Sequence, residues 1–180
     1  FMLKVMFLCT GNSCRSQMAE GFARHYGKDI IEVYSAGLTP AGVNPYAVKV
    51  MAEAGVDISK HYSKTPEEIG PVPYDYVVTV CGHANESCPV FPAKTLVVHV
   101  GFEDPPKLTK DMPDGEQKLA VYRRVRDEIR RREGVELVFE IDFIGDWRGY
   151  DPAAERGASR AHAGANRRRP LPRRGGGCGE

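Results

Sequence analysis

The sequence lacks several features that would assign it to a common class of protein. No apolar run approaches the ~20 residues that a membrane-spanning helix needs, and the net charge is only +1 over 180 residues. Neither a membrane nor a nucleic acid is therefore expected as a partner. The nucleotide-binding pattern Gly-x4-Gly-Lys-Ser/Thr is absent. The short apolar start carries Lys4 and has no small-residue cleavage site, so a signal peptide is not expected.

Cysteine is scarce, and its number is informative. The chain has five cysteines, an odd number, and it is long enough to bury a core without disulfide bonds. A disulfide framework is therefore not expected. Thiols in such a chain more often serve catalysis or metal binding in a reducing compartment. We expect a cytoplasmic protein whose chemistry lies at cysteine.

The most informative stretch is the loop from Cys9 to Ser16. Apolar residues over 3–8 predict a buried strand before it, and apolar residues at helical spacing over 17–26 predict a helix after it. Backbone N–H groups of such a loop, together with the helix dipole, favour an anion. A cysteine at its first position is expected to have a lowered pKa. Arg15 adds a planar fork that matches a tetrahedral oxyanion, and Ser16 can hydrogen-bond the thiolate.

The loop therefore predicts a sulfur nucleophile that faces a phosphate-like ion. Cys9 is the candidate nucleophile. The alternative is a pair of buried, inert cysteines at the end of the strand. Because Cys-x5-Arg-Ser stands directly between a strand and a helix, the catalytic interpretation is favoured. The candidate oxyanion-binding residues are Thr10, Gly11, Asn12, Ser13, Cys14, Arg15 and Ser16.

Strand and helix patterns alternate along the chain as far as residue 132. This alternation predicts an α/β fold, a single domain with a four-stranded parallel sheet flanked by helices. In such sheets ligands bind at the carboxyl ends of the strands, which is where Cys9, Cys81 and the loop of Asp104 fall. Further strands are predicted at 30–35, 74–80 and 95–100, helices at 43–54 and 116–132, and a helical turn at 66–69.

A second thiol centre is predicted after the third strand. Cys81 and Cys88 stand seven residues apart in a glycine-containing loop. One interpretation is a zinc site with His83 as a further ligand, although the spacing fits no standard zinc pair. A second is two unrelated buried thiols. A third is a redox relay, in which one thiol attacks a loaded Cys9 and another carries the disulfide outward. The relay needs a flexible loop because Cys88 must reach Cys81.

Asp104 precedes two prolines and has two open interpretations. As a general acid it would protonate the oxygen that leaves the bound oxyanion. The alternative is the cap of an Asx-type turn, a common role for an aspartate before proline.

The sequence changes character after Gly134. Alternating apolar residues over 135–143 predict a half-buried strand, and the Arg-, Gly-, Ala- and Pro-rich residues from 156 onward predict disorder. We therefore expect a catalytic domain at 1–134 and an atypical C-terminal extension at 135–180, largely disordered from about residue 151. The basic tail is interpreted as a solvated extension or a contact for an acidic partner, and Cys178 as an exposed thiol.

Several separated motifs closely resemble those of the thioredoxin-coupled arsenate reductases, which share the fold of the low-molecular-weight protein tyrosine phosphatases. The resemblance covers roughly residues 2–132, and its motifs lie at 7–21, 34–37, 77–82, 88–89, 101–105 and 124–129. The resemblance implies reduction of arsenate to arsenite, thioredoxin as the electron donor and no bound cofactor. We also expect a monomer.

The resemblance also implies roles for single residues. Cys9 is the nucleophile, and Arg15 with the loop amides binds arsenate. Asp104 is the acid, Asn12 braces the loop and Ser16 stabilises the thiolate.

For the second thiol centre the resemblance implies a relay. Cys81 attacks the Cys9–arsenate adduct, and Cys88 resolves the disulfide between Cys9 and Cys81.

Some members of this family bind potassium through residues that match Asn12, Glu20 and Ser35, together with an aspartate. Lys64 stands at the position of that aspartate. An ammonium there could stand in for the ion, which argues against potassium dependence and leaves Asn12, Glu20 and Ser35 as a candidate potassium site only.

Two alternative functions stay open. A low-molecular-weight protein tyrosine phosphatase would use Cys9, Arg15 and Asp104, but it would need neither Cys81 nor Cys88. It would also typically have Asp-Pro-Tyr where this chain has Asp-Pro-Pro. A non-enzymatic binder of a metal or of arsenite would use the three thiols alone.

Overall fold

The computed structural model of the chain describes residues 2–132. Four strands form one parallel sheet in the order β2-β1-β3-β4: β1 (Leu3–Cys9), β2 (Ile31–Gly37), β3 (Tyr76–Thr79) and β4 (Leu96–His99). The helices within these residues are α1 (Arg15–Tyr26), α2 (Pro45–Glu53), α3 (Pro66–Ile69), α4 (Gly82–Glu86), α5 (Pro105–Leu108) and α6 (Glu116–Ile129). The predicted fold class is confirmed.

Strand β1 lies at the centre of the sheet and of the core. Phe7 pairs with Ser35 on one side and with Val78 on the other, and the apolar residues before Cys9 in β1 are almost all fully buried. A parallel strand covered on both faces is continuously apolar, which is why the run at 3–8 was recognisable. Helix α1 packs against this strand, and α6 packs on α1 and α2. The apolar residues that α6 buries are Leu119, Tyr122, Val125 and Ile129.

The segment between β2 and β3 has local signals that match its structure. The side chain of Asn44 accepts hydrogen bonds from the N–H groups of Tyr46 and Ala47, so it caps α2 as its sequence position suggests. Gly55, just after this helix, has a φ of +80°, which glycine adopts without strain. Thr65 and Glu68 form a capping box at the start of α3.

Two short helices differ from the sequence-based expectation. The segment after Cys81 was expected to be a flexible loop, but residues 82–86 form α4. The Cys81 sulfur accepts a hydrogen bond from the N–H of Ala84 at 3.4 Å, and this cap stabilises the first turn. Helix α5 begins directly after Asp104, where Pro105 has the φ that a first helical residue requires.

The sheet places the carboxyl ends of all four strands at one edge. Cys9 ends β1, Cys81 follows β3, and Asp104 follows β4. None of the helices within residues 2–132 has the length and apolar content needed to cross a bilayer. The predicted strand at 135–143, the domain boundary at 134, the C-terminal extension and Cys178 lie outside the described residues.

Candidate active site

The sulfur of Cys9 is enclosed by the loop that follows β1. The side chain is only 4% exposed. Its Sγ lies 2.8 Å from the hydroxyl oxygen of Ser16 and accepts a hydrogen bond from the backbone N–H of Asn12 at 3.1 Å. The expected contact with Ser16 is therefore present, and one amide of the loop points at the sulfur.

Asn12 determines the shape of this loop. It is completely buried, and its φ of +44° lies in the left-handed region, which residues other than glycine seldom adopt. Its Nδ2 donates to the hydroxyl oxygens of Ser16 and Ser35 at 3.0 and 2.9 Å. Its Oδ1 accepts from the backbone N–H of Lys64 at 3.0 Å. These bonds brace the loop from three elements of the chain.

The outer side of the loop is bonded to the residues that follow β2. The carbonyl oxygen of Thr10 accepts from the N–H of Thr39 at 2.8 Å. Gly37 permits this approach, because a Cβ there would lie 2.6 Å from the nitrogen of Asn12. The neighbouring chain therefore holds the loop in place, and only glycine fits at the closest contact.

The side chain of Arg15 extends toward the residues that precede α5. Its Nη1 donates to the carbonyl oxygen of Phe102 at 3.0 Å, and its Nη2 lies 3.2 Å from Oδ1 of Asp104. The side chain of Asp104 makes no capping hydrogen bond with α5, so the turn-cap interpretation is not supported. The structure brings together the cation and the acid that the sequence predicted.

Burial raises the pKa of the Cys9 thiol above its ordinary value, and hydrogen bonds within the loop offset this only in part. The sequence-based expectation of a lowered pKa is therefore wrong. An enclosed sulfur loses the water that would solvate its negative charge. The guanidinium of Arg15 is paired with Asp104.

The structure places Cys81 beside the loop of Cys9. Cys81 is 5% exposed, and its Sγ lies 3.4 Å from the hydroxyl oxygen of Thr10. After burial, an electrostatic interaction with Cys81 is a further cause of the raised pKa of Cys9. A second buried thiol therefore adjoins the candidate nucleophile.

Cys88 lies beyond the other end of α4 and is half-buried. The cysteines within residues 2–132 are all reduced thiols. Cys81 is the N-cap of α4 and Cys88 directly follows its C-cap, Ser87, so the helix of residues 82–86 separates the two thiols. A disulfide needs Cα atoms within about 7 Å. We therefore expect a bond between Cys81 and Cys88 to need α4 to unwind or shift.

Cys14 has the properties of a structural thiol. It occupies the N-cap position of α1 and is 4% exposed, and its side chain makes no capping hydrogen bond. Burial raises the pKa of this thiol, and the charge of Asp104 raises it further.

The zinc interpretation of the second thiol centre finds no support. Within residues 2–132, no group of three or more His, Cys, Asp or Glu side chains is arranged to hold a metal ion. His83 lies on α4 and is exposed, whereas Cys81 is buried at its start.

The residues considered for potassium are bonded to one another. The hydroxyl of Ser35 donates to the Glu20 carboxylate, and Asn12 donates to Ser35. The Lys64 ammonium lies 3.7 Å from Oε2 of Glu20, and the side chains of Lys64 and Glu20 are only 11% and 6% exposed. Arg24, whose Nη2 lies 2.7 Å from Oε1 of Glu20, is a second and closer cation, so positive charges of the chain itself neutralise the buried carboxylate.

Gln17 and His61 are site residues that the sequence interpretation overlooked. Gln17 is completely buried in α1, and its amide contacts Asn12 and the ring of His61. The available signal was weak: a polar residue next to the apolar pair Met18 and Ala19 on the buried side of a helix.

Comparison with known proteins gives the family. A profile described as low molecular weight phosphotyrosine protein phosphatase matches residues 4–137. The arsenate reductase of Halalkalibacterium halodurans is 52% identical over 128 residues, which are 71% of this chain and 90% of that protein. The chain belongs to the arsenate reductases of the low molecular weight phosphotyrosine protein phosphatase family. The resemblance drawn from the motifs is confirmed, as is the assignment as an enzyme.

Solved structures of arsenate reductases are similar in fold. One in the phosphate binding state has a TM-score of 0.62 and 38% identity, and covers 78% of this chain and 99% of its own. One in the oxidized state has a TM-score of 0.65 and 36% identity, with the same coverage. The roles of single residues are not tested by these comparisons and stay predictions.

Proposed function

We propose that this chain reduces arsenate to arsenite through a nucleophilic Cys9 and a relay of Cys81 and Cys88, with thioredoxin as the electron donor. The observation that supports this most is the second buried thiol, Cys81, beside the loop of Cys9. Hydrolysis of a phosphate ester by the alternative phosphatase would have no use for it. Binding of an oxyanion is supported by the related structure described in the phosphate binding state.

In the first step the Cys9 thiolate attacks the arsenic atom of arsenate. A bond forms between sulfur and arsenic, and one oxygen leaves as water after Asp104 donates a proton to it. Arg15 binds the remaining oxygens through its planar fork. For this, Arg15 must divide its donors between Asp104, 3.2 Å away, and the oxyanion.

In the second step the Cys81 thiolate attacks the sulfur of Cys9. A disulfide forms and the sulfur–arsenic bond breaks. The electron pair of that bond stays on arsenic, which is thereby reduced by two electrons and leaves as arsenite. The contact between Cys81 and Thr10 supports this step, because the Cys81 sulfur lies next to the loop that would carry the adduct.

In the third step Cys88 attacks Cys81 and releases Cys9 as a thiolate. This step needs α4 to change shape, since the two cysteines lie at opposite ends of that helix. The product is a disulfide near the surface that a dithiol protein such as thioredoxin can reduce. The reduced thiols of this relay suit a cytoplasmic location, and no step requires a second copy of the chain.

A coupled assay tests the proposal. Oxidation of NADPH is followed with thioredoxin, its reductase and arsenate, and we expect it to depend on all three. Hydrolysis of p-nitrophenyl phosphate without arsenate-dependent NADPH oxidation would favour the phosphatase alternative. Stoichiometric capture of arsenite without turnover would favour a thiol-based binder.

Replacing Arg15 with lysine should weaken the binding of inorganic phosphate and lower kcat/KM for arsenate by about a hundredfold, because lysine offers a point charge instead of a planar fork. Phosphate binding can be measured by its protection of Cys9 from alkylation. Arg124→Lys is the matched control, since Arg124 is exposed and paired with Glu103. Unchanged phosphate protection in Arg15→Lys would contradict the proposed role of Arg15.

The contact between Lys64 and Glu20 predicts that Tm is the same in potassium chloride and sodium chloride of equal ionic strength. Lys64→Asp restores the carboxylate that the family's potassium-binding members have. We therefore expect its Tm to be about 3 °C higher in the potassium salt, because a ligand that binds only the folded state stabilises it. Lys60→Asp, at an exposed position, should show no such difference. A potassium-dependent Tm in the unaltered protein would contradict the replacement of the ion by Lys64.

A further inference from the structure

Helix α4 is held on the sheet by few contacts. It has five residues, which is too short for a helix to be stable on its own, and Ala84 is the one residue that it buries. Its first turn is capped by the Cys81 sulfur, but this sulfur is a reacting atom of the proposed relay. Within residues 2–132, Asn85 makes the one side-chain hydrogen bond that joins residues 82–86 to another element.

The partner of Asn85 is Thr79, the completely buried last residue of β3. The hydroxyl oxygen of Thr79 lies 3.3 Å from Oδ1 of Asn85 and 2.9 Å from Nδ1 of His99, the last residue of β4. The carbonyl oxygen of Val98, at 3.4 Å, is a longer contact of the same hydroxyl. One hydroxyl group therefore joins α4 to the ends of two strands.

The Thr79 hydroxyl can bond both side chains at once because it has one hydrogen and two lone pairs. If Nδ1 of His99 carries a hydrogen, it donates to Thr79, and Thr79 donates to Oδ1 of Asn85. If Nδ1 carries none, Thr79 donates to His99, and the Asn85 amide, with its nitrogen and oxygen exchanged, donates to Thr79. Two hydrogen bonds join the three side chains in either arrangement, so removal of the Thr79 hydroxyl breaks both.

The contact between Asn85 and Thr79 lies on the helix that separates Cys81 from Cys88. Formation of a disulfide between these cysteines is expected to need α4 to unwind or shift, and the contact would break as this happens. It is then present in the reduced state and absent in the oxidised state. A bond that is made in only one of two states shifts the equilibrium toward that state, so this contact opposes oxidation.

We propose that Asn85 is a positioning residue of the relay, which holds α4 on the sheet through the Thr79 hydroxyl and thereby resists formation of the disulfide between Cys81 and Cys88. The reduced protein thus keeps Cys81 available to attack Cys9 first. The inference rests on the proposed function for the roles of these three cysteines. Its test needs no arsenate.

The first measurement is hydrogen exchange in the reduced protein. The N–H of Ser87 donates to the carbonyl oxygen of His83 at 2.9 Å, so its protection factor reports the opening of α4. We expect Asn85→Ala to lower this protection about fivefold, because one hydrogen bond is lost. Amides in the middle of α6 should keep their protection, which shows that the change is local.

The second measurement is the equilibrium of the Cys9→Ser protein with glutathione. The thiols of Cys81 and Cys88 give two electrons and two protons to glutathione disulfide, which becomes two molecules of glutathione. Mass spectrometry of peptides quantifies the disulfide between Cys81 and Cys88. In Asn85→Ala the equilibrium constant for its formation should rise about fivefold, by the same factor as the loss of protection, because both report one hydrogen bond.

His83→Ala is the matched control, at an exposed position of the same helix. Alanine favours a helix more than asparagine or histidine does. Propensity alone therefore predicts that both variants strengthen α4, whereas the proposal predicts opposite results for the two. If Asn85→Ala behaves like His83→Ala in both measurements, the proposal is overturned.

Thr79 supplies a second and independent pair of variants. Thr79→Val keeps the shape of the side chain and removes the hydroxyl, so it should give the same fivefold changes, whereas Thr79→Ser keeps the hydroxyl and should stay close to the unaltered protein. Combined with Asn85→Ala, Thr79→Val should add almost nothing, because both variants remove one contact. Equal results for Thr79→Val and Thr79→Ser, or fully additive effects, would contradict the proposal. If Thr79→Val does not fold, the comparison of Asn85→Ala with His83→Ala decides.

Failure of this proposal and failure of the proposed function give different results. If the shifts in protection and in the glutathione equilibrium occur but the unaltered protein does not reduce arsenate, the proposed function is wrong and the role of Asn85 in holding α4 stands. If arsenate is reduced but Asn85→Ala produces neither shift, the role of Asn85 alone is wrong.

Discussion

Cys9→Ser should abolish arsenate turnover, with at least a thousandfold loss in rate and no covalent arsenic adduct. A serine hydroxyl is a far weaker nucleophile than a thiolate near neutral pH. The volume change at this buried position is small, so the loop should keep its shape. The measurement is the coupled NADPH assay, together with intact-protein mass spectrometry after mixing with arsenate.

The control for this result is Cys178→Ser, which makes the same chemical change at a thiol without an assigned role. That variant should turn over at the rate of the unaltered protein. Phosphate binding by Cys9→Ser should persist, because Arg15 and the loop remain. Residual arsenate reduction above about one-tenth of the unaltered rate would rule out Cys9 as the nucleophile.

The raised pKa of Cys9 depends on two opposed effects, burial and hydrogen bonding, whose relative size could not be judged from the sequence. The motif identifies a cysteine, an arginine and a serine at suitable spacing, and two of the expected contacts are present. The balance between burial and hydrogen bonding depends on how fully the core encloses the sulfur. Arg15 pairs with Asp104, 89 positions away, and a contact at that separation cannot be read from local sequence.

The parallel sheet was predictable because its strands are short apolar runs separated by helical patterns. The carboxyl end of β1 was also predictable, since Cys9 ends an apolar run. The start of α2 was predictable because Asn44, a residue that can cap a helix, precedes a proline. Helix α4 was missed because it has a single turn and a glycine at its start. Its stability comes from tertiary contacts and from the cap that the Cys81 sulfur provides. Helix propensities of the individual residues reflect neither of these.

Contacts between distant segments account for the rest of the site. Gln17 meets His61 across 44 positions, and Lys64 meets Glu20 across the same distance in sequence. The carboxyl ends of parallel strands converge, so the sequence could predict that Cys9, Cys81 and Asp104 lie at one edge. It could not predict which polar side chains would pair within that edge.

Cys88→Ser should release about one arsenite per enzyme in a single turnover and then stop, following the order of thiol exchange. Arsenite leaves when Cys81 attacks Cys9, before Cys88 acts. The stalled protein should contain a disulfide between Cys9 and Cys81, which thioredoxin reduces slowly because Cys9 is 4% exposed. Cys81→Ser should stall one step earlier and release no arsenite without added thiol. Mass spectrometry of the two stalled proteins distinguishes the two outcomes.

Helix α4 gives this prediction a structural readout. A bond from Cys81 to Cys9 involves only the residue at the start of this helix, whereas a bond from Cys81 to Cys88 must join residues from its two ends. Amides of residues 82–86 should therefore stay protected from hydrogen exchange in stalled Cys88→Ser and lose protection in the oxidised, unaltered protein. If Cys88→Ser turns over at the unaltered rate with thioredoxin, then α4 does not separate two thiols of a relay. The phosphatase or thiol-binding alternative would then explain the site better.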